Sequence, residues 1–235
     1  SSVGYFMLPS LIGLNDAGHW EANTPGAGFG PIPVDSFAPP LDHAEARTST
    51  YEETYHSVST VSTGSHIGVA WLDTRSATAR VLLSVFSATG VPVSQEFIVE
   101  PAARVYYARD SVALVWNASA GMFAILYGKP QPNSGSGVLA ALRRVGFDGT
   151  NLSLDRRADG TPWEVVIGNM GTFAAPALAT NGRQYFASII AGGGQPNAAL
   201  IESTGCISRV AAQAHFADFV RLGFNPTRQQ FVVLD

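Results

Sequence analysis

The apolar residues of this chain fall into short runs separated by turn residues, and this pattern predicts β-strands rather than helices. The clearest example is VSTVSTGSHIGVAWLD, residues 58–73. Residues 112–127, 176–191 and 220–235 align with it without a gap. Each of the four segments has an apolar stretch, a turn that contains Gly, Asn or Pro, and a second apolar stretch. The repeat therefore predicts four β-hairpins.

The turn of this repeat carries a recurrent asparagine. Asn117, Asn181 and Asn225 occupy the same column, with Thr63 in the fourth copy. Asn and Gly tolerate a positive φ, which the tight turns of β-hairpins require. We therefore expect this column to mark the turn that joins the first two strands of each copy.

Three of the copies continue into two further strands. A third apolar run follows each hairpin, then a tight turn that ends at Gly90, Gly149 or Gly205, then a short fourth strand. The copy at residues 220–235 has no continuation, because the chain stops there. Residues 4–22, GYFMLPSLIGLNDAGHWEA, have the same pattern of third strand, turn and fourth strand. They can therefore complete the sheet of the last copy.

This arrangement predicts an all-β fold, a β-propeller with blades of four antiparallel strands. Three intact blades and one shared blade give a four-bladed ring. It is a single domain over residues 1–235, closed by pairing of the N- and C-terminal strands, which removes exposed sheet edges. Residues 24–55 lie outside the repeat, and their Pro and Gly content predicts a long excursion over one face or rim. A five-bladed ring with this block as a degenerate blade, and a piece of a larger propeller, are the alternatives.

The first copy carries a distinctive motif at the end of its second strand. Trp71, Asp73 and Arg75 form a Trp-x-Asp-x-Arg pattern, and the next strand ends in a turn at Gly90. This segment resembles the degenerate propeller repeats of secreted bacterial proteins. The resemblance implies a propeller and export. It implies no particular activity, because propellers carry many unrelated functions. The other copies depart from the motif and have no Trp where Trp71 stands.

Composition narrows the classes of partner. Charged residues are 14% of the chain, the net charge is −4, and Lys129 is the only lysine. A nucleic-acid partner is not expected, because phosphate binding needs clustered cations. Cys206 is the only cysteine, so no internal disulfide can form, and no apolar run is long enough to predict a membrane span. Low charge and abundant Ser, Thr and Gly favour a secreted or extracytoplasmic protein.

A polar column precedes the first strand of each copy and contains His56, Asp110, Ala174 and Asp218. In a propeller the first strands line the central channel, so this column would come together at one channel mouth. His56, Asp110 and Asp218 could there bind calcium or another divalent cation, bind a polar ligand, or act as an acid–base pair. Alternatively, these residues are solvated caps at strand starts.

The large apolar side chains suggest where a ligand could stack and where the core lies. Trp20 and Trp163 fall near outer strands or loops and are candidate ligand-binding residues. Alternation along the second strands predicts a set of side chains buried between blades: Val69, Trp71, Phe123, Ile125, Ile189, Phe231 and Val233. We expect this set to form the interfaces between neighbouring blades.

Two functions fit these observations. The first is a non-catalytic binding or scaffold module with a protein or glycan partner, either alone or as one chain of a larger complex. The missing His-Glu-x-x-His, Gly-x-Ser-x-Gly and paired-cysteine motifs favour it. The second is a glycan-active or other hydrolytic enzyme, with its site at the channel mouth and residues 24–55 as a lid. No cofactor other than the cation is expected.

Overall fold

The computed structural model describes residues 12–14, 20–22, 58–73, 78–104, 112–132, 134, 137–170, 176–190, 196–210 and 221–234. The chain forms two compact units, residues 1–47 and residues 48–235. Two short strands are described in the first unit, and all other described strands belong to the second. The single domain over residues 1–235 stays a prediction.

Every described regular element is a strand, which confirms the all-β class for this part of the chain. The strands are β1 (Ile12–Leu14), β2 (Trp20–Ala22), β3 (Val58–Ser62), β4 (His66–Asp73), β5 (Ala79–Ser87), β6 (Phe97–Ala103), β7 (Val112–Asn117), β8 (Met122–Pro130), β9 (Val138–Phe147), β10 (Leu152–Leu154), β11 (Glu164–Asn169), β12 (Ala177–Thr180), β13 (Gln184–Ile190), β14 (Pro196–Glu202), β15 (Ile207–Val210), β16 (Arg221–Asn225) and β17 (Gln230–Leu234). The described residues contain no helix that could cross a membrane.

The strands pair in chain order, as the repeat predicts. Sheet 1 is β3-β4-β5-β6, sheet 2 is β7-β8-β9-β10 with β11 also on β9, and sheet 3 is β12-β13-β14-β15. The strands β16 and β17 form the C-terminal hairpin, and β1 pairs with β2. All pairs are antiparallel. The predicted hairpins, third strands and Gly-containing turns are thus confirmed within these sheets.

Two kinds of turn join the first and second strands. In sheets 1 and 3 the glycine directly after the turn column of the repeat has a positive φ, 99° at Gly64 and 88° at Gly182. In sheet 2 and the C-terminal hairpin the positive φ comes four residues after the asparagine, 64° at Gly121 and 52° at Gln229. Gln229 is the only non-glycine residue of the described part that adopts a positive φ. A left-handed conformation costs an ordinary L-residue about 1–2 kcal/mol.

The asparagines of the turn column serve as hydrogen-bond acceptors. The column marks the turns as predicted, but none of its asparagines adopts a positive φ. Asn181 Oδ1 instead accepts the backbone N–H groups of Arg183 and Gln184 at 2.9 and 2.7 Å. Asn117 and Asn225 accept equivalent backbone bonds in their own turns at 3.0–3.2 Å. A short side-chain acceptor that caps the turn is the physical reason for the column.

The fourth strand of sheet 2 is interrupted. The strand β10 pairs with residues 145–147 of β9, and β11 pairs with residues 139–143 of the same edge. Residues 155–163 leave the sheet between them and return through a bridge from Arg156 to Pro162. The tip turns at Gly160, whose φ is 82°. The sequence pattern predicted one short fourth strand here and did not predict the insertion.

In the described part of the chain, the buried apolar residues form two layers between three stacked sheets. Sheet 1 packs on sheet 2 through one buried cluster, and the opposite face of sheet 2 packs on sheet 3 through another. Phe123, Ile125 and Ile189 are buried as predicted, with exposed fractions of at most 1%. Val69 and Trp71 are only half-buried, so the prediction was wrong for them.

The face of β4 explains this difference. Gly68, Ala70 and Leu72 of β4 are buried and alternate with the half-buried Val69 and Trp71. The missing side chain of Gly68 lets the ring of Phe123 approach the backbone of β4 closely. Phe231 is half-buried and lies in a ring stack with Phe186, with centroids 5.3 Å apart. The side chain of Val233 lies outside the described residues.

The first strands of successive sheets are neighbours. The strand β3 lies beside β7, β7 beside β12, and β12 beside β16. The backbone N–H of Leu114 in β7 donates to Ser59 Oγ in β3 at 3.0 Å. The innermost strands of a propeller have this order. The described strands do not show a closed ring, so the four-bladed propeller and its closure by residues 4–22 stay predictions.

Candidate functional site

The site that the sequence predicts at the channel mouth lies outside the described part of the chain. His56, Asp110 and Asp218 lie outside the described residues, as does the side chain of Trp20, whose backbone belongs to β2. Within the described part of the chain, no three side chains of His, Cys, Asp or Glu gather as metal ligands would. The cation site at the channel mouth therefore stays a prediction.

Trp163 lies at the base of the insertion and is buried. Its side chain is 4% exposed and belongs to the core between sheets 2 and 3. The guanidinium carbon of Arg144 lies 3.8 Å from its ring centroid, and Arg144 Nε donates to Asp155 Oδ2 at 2.7 Å. The indole Nε1 has no hydrogen-bond partner among the described residues. Because Arg144 covers the ring, ligand stacking on Trp163 would require this side chain to move, and the binding role stays a prediction.

A charged network links sheet 1 to sheet 2. The Tyr127 hydroxyl donates to Glu164 Oε2 at 2.8 Å and lies 3.1 Å from Glu100 Oε2. Arg143 bridges the two carboxylates, with Nε 2.8 Å from Glu164 Oε2 and Nη2 3.1 Å from Glu100 Oε2. Lys129 Nζ donates to Glu164 Oε1 at 2.5 Å. Two carboxylates and two cations therefore neutralise one another at the junction of the sheets.

The electrostatics of this network keep Glu164 ionised. Burial alone would raise the pKa of Glu164, but hydrogen bonds from Lys129 and Tyr127 and the charge of Arg143 outweigh it and lower that pKa below its usual range. Burial raises the pKa of Tyr127 far above its usual range, so its hydroxyl stays protonated. A general acid at neutral pH needs a raised carboxyl pKa, which is the opposite direction. The network therefore has a structural role and connects sheet 1 to sheet 2 through ion pairs and hydrogen bonds.

Sequence reasoning missed this network, although one signal was present. Lys129 and Arg143 interrupt apolar strands in a chain with few charges. A charge at such a position requires a partner, because an unpaired buried charge is costly. The partners Glu100 and Glu164 are distant in sequence, so the pairing depends on how the sheets stack.

A polar pocket of about 440 Å³ lies at the turn end of sheet 3, beside the C-terminal hairpin. It is lined by Asn181, Arg183, Gln184, Glu202 and Gln229. The first four come from the β12–β13 turn and the end of β14, and Gln229 comes from the β16–β17 turn. The volume falls in the range of small-molecule sites, roughly 300–1,000 Å³.

Hydrogen bonds among the lining residues hold one wall of the pocket in place. Gln184 Nε2 donates to Glu202 Oε1 at 2.7 Å, and Asn181 Nδ2 donates to Gln184 Oε1 at 3.2 Å. On the opposite wall, Gln229 Nε2 donates to the backbone oxygen of Pro226 at 2.7 Å. Glu202 Oε2, Gln229 Oε1 and the Arg183 guanidinium have no hydrogen-bond partner within the described residues. These groups are available to a ligand.

The corresponding place between sheets 2 and 3 is filled. Tyr185 occupies the repeat column of Gln229, and Ser119 occupies that of Arg183. Asn117 Nδ2 donates to Tyr185 Oη at 3.1 Å, and Ser119 Oγ donates to the backbone oxygen of Gly182 at 2.6 Å. The pocket beside the C-terminal hairpin is therefore not repeated at this junction.

None of the pocket residues was predicted from the sequence. The available signal was the change from Tyr185 to Gln229 in one column, which replaces a filling aromatic ring with a carboxamide. Whether this replacement leaves a pocket depends on the packing of two turns that belong to different repeats. Comparison with protein-family models, with curated proteins and with solved structures finds no match for this chain.

Proposed function

We propose that this chain is a non-catalytic binding module whose partner is a glycan or the polar surface of a protein. The polar pocket beside the C-terminal hairpin carries the proposal. It offers unpaired donors and acceptors on partly fixed side chains, which is how a protein recognises a polar ligand. Among the described residues, its lining contains one carboxylate, Glu202, and no nucleophile or imidazole.

We further propose that the module is a β-propeller. Three observations support this: sheets of four strands recur, they stack face to face, and their first strands lie side by side in chain order. The C-terminal hairpin supplies two strands, and residues 4–22 carry the pattern of the two that are missing. Loops and turns at the end of such a scaffold are the usual location of binding residues.

The electrostatics of the described carboxylates support binding over hydrolysis. Glu164 and Glu100 share Arg143, and the pKa of Glu164 is lowered, so Glu164 is unsuited to donate a proton at neutral pH. The hydrolase alternative places its site at the channel mouth, with His56, Asp110 and Asp218 as the candidate residues.

The test compares binding with turnover on the same preparation. The protein is applied to a glycan array and incubated with a panel of chromogenic glycosides and esters. We expect retention of particular glycans with no turnover of any substrate. Turnover that disappears in Asp110→Asn together with Asp218→Asn would contradict the proposal and would support the enzyme.

A further inference from the structure

We propose that the polar pocket beside the C-terminal hairpin binds a neutral polyhydroxyl ligand, a terminal hexose of a glycan. This inference rests on the proposed binding function and adds a site and a ligand class to it. Four features of the pocket carry the argument: its charge, its hydrogen-bonding pattern, its fixed wall and the backbone of Gln229.

The charge of the lining favours a neutral ligand. Arg183 supplies one positive charge and Glu202 one negative charge, and the other three lining side chains are carboxamides. An anion would be attracted by Arg183 and repelled by Glu202. A cation would be repelled by Arg183 and attracted by Glu202. A ligand without charge satisfies both groups with hydrogen bonds only.

The available hydrogen-bonding groups match hydroxyls. Glu202 Oε2 and Gln229 Oε1 accept hydrogen bonds, whereas the Arg183 guanidinium donates them. A hydroxyl both donates and accepts, so adjacent hydroxyls on a sugar ring can use acceptors and donors that face the same small space. Hydrogen bonds to charged groups such as Arg183 and Glu202 are stronger than neutral ones.

The Glu202 wall is arranged before a ligand arrives. The chain of bonds from Asn181 through Gln184 to Glu202 fixes the carboxylate, and the turn backbone holds Asn181 through its Oδ1 atom. Fixed polar groups lose less conformational entropy on binding than free ones. This wall therefore contributes to affinity although the pocket lacks an aromatic stacking platform among its lining residues.

Gln229 provides the most specific sign of a ligand role. Its φ of 52° places it in the left-handed region, where the equivalent turn of sheet 2 has Gly121. Glycine would suit this position better, because it has no Cβ to strain the turn. A residue that holds a strained conformation and also lines a pocket suggests that its side chain has a function. The carboxamide of Gln229 is the group that a glycine could not supply.

The experiment is an NMR titration that follows the side-chain amide signals of Asn181, Gln184 and Gln229. The probes are methyl glycosides of neutral hexoses, methyl glucuronide, glycine as a zwitterion, and inorganic phosphate. We expect at least one neutral hexoside to shift these signals in a saturable way. The acidic sugar, glycine and phosphate should bind at least about tenfold more weakly, which corresponds to roughly 1.4 kcal/mol.

Three variants test the residues. Gln229→Gly, Glu202→Gln and Arg183→Ala should each weaken hexoside binding by about tenfold or more, the range of one lost hydrogen bond to a charged or well-placed group. The Gln229→Gly variant should fold at least as well as the original chain, so its loss of binding cannot reflect unfolding. Arg228→Ala is the matched control, because Arg228 is an exposed arginine in the same turn that does not line the pocket. It should leave the affinity unchanged.

The outcomes separate this inference from the proposed function. If the glycan array shows binding but the three variants bind as well as the original chain, the pocket assignment is overturned while the binding function stands. If glycine or phosphate shifts the amide signals and no hexoside does, the ligand class is overturned. If no compound of the panel shifts the amide signals, the hexose site is also rejected.

Discussion

Substitution of Gly68 by alanine tests how sheets 1 and 2 pack. An ideal Cβ at Gly68 would overlap Cε1 of Phe123 and lie 2.9 Å from its Cζ, closer than real contacts allow. The ring of Phe123 is fully buried, and Trp116 lies 4.7 Å and Phe147 6.0 Å from it between centroids. Because the ring has little room to move, Gly68→Ala should cost about 1–3 kcal/mol, the usual range for overpacking a core.

Urea unfolding followed by circular dichroism measures this loss, and thermal melting should show a Tm lower by roughly 2–12 °C. Gly223→Ala is the control, because a Cβ at Gly223 in β16 would meet no atom within 4 Å. It should be neutral or slightly stabilising, by up to about 1 kcal/mol. Phe123→Leu should partly relieve Gly68→Ala, so the double variant should lose less than the sum of the single losses by about 1 kcal/mol or more. Equal stability of Gly68→Ala and Gly223→Ala would refute this packing.

Three further predictions concern acid stability, metal and the chain ends. The pKa of Glu164 is lowered in the folded state, so its stabilising contribution is present above the ordinary glutamate pKa and is lost as pH falls through the folded-state value. Urea unfolding between about pH 7 and about pH 3 should therefore show a smaller acid loss for Glu164→Gln than for the original chain, and equal losses would contradict the network. If a divalent cation binds at the channel mouth, a chelator should lower the Tm, and Asp110→Asn with Asp218→Asn should abolish that shift; a chelator effect that persists in the double variant would place the metal elsewhere. If the ring closes as proposed, deletion of residues 1–22 should unfold the whole domain cooperatively because the last blade loses two strands, and an unchanged melting curve would argue against closure.

Local turn chemistry made the strands predictable. The Asn or Thr column sits at a fixed distance from the apolar runs in all four copies, and a turn depends mainly on its own residues. The gap-free alignment nevertheless hid a shift in pairing. Ser62 pairs with Ile67 and Thr180 with Tyr185, whereas Asn117 pairs with Met122. The turns of different copies close at different points, and the sequence pattern does not specify which.

Burial and the site depended on contacts between repeats. Val69 and Phe123 occupy the same column of the repeat. Their strands, β4 and β8, belong to different sheets, and only the Phe123 side chain is covered by a neighbouring sheet. Glu100 and Arg143 likewise form an ion pair although they are far apart in the chain. The same holds for Gln229 and Glu202, which line one pocket. Periodicity indicates which face a residue occupies within one strand. It does not indicate what lies opposite that face.

The most direct test of the propeller is whether the two ends of the chain share a sheet. The proposal pairs β17, Gln230–Leu234, with the third-strand segment within residues 5–14, as β4 pairs with β5 in sheet 1. Nuclear Overhauser effects between backbone protons of adjacent antiparallel strands report such pairing, because these strands lie about 4.8 Å apart. Ring closure predicts a ladder of these effects between residues 230–234 and residues 5–14. Slowly exchanging amides in β17 with no such effects to residues 5–14 would contradict it.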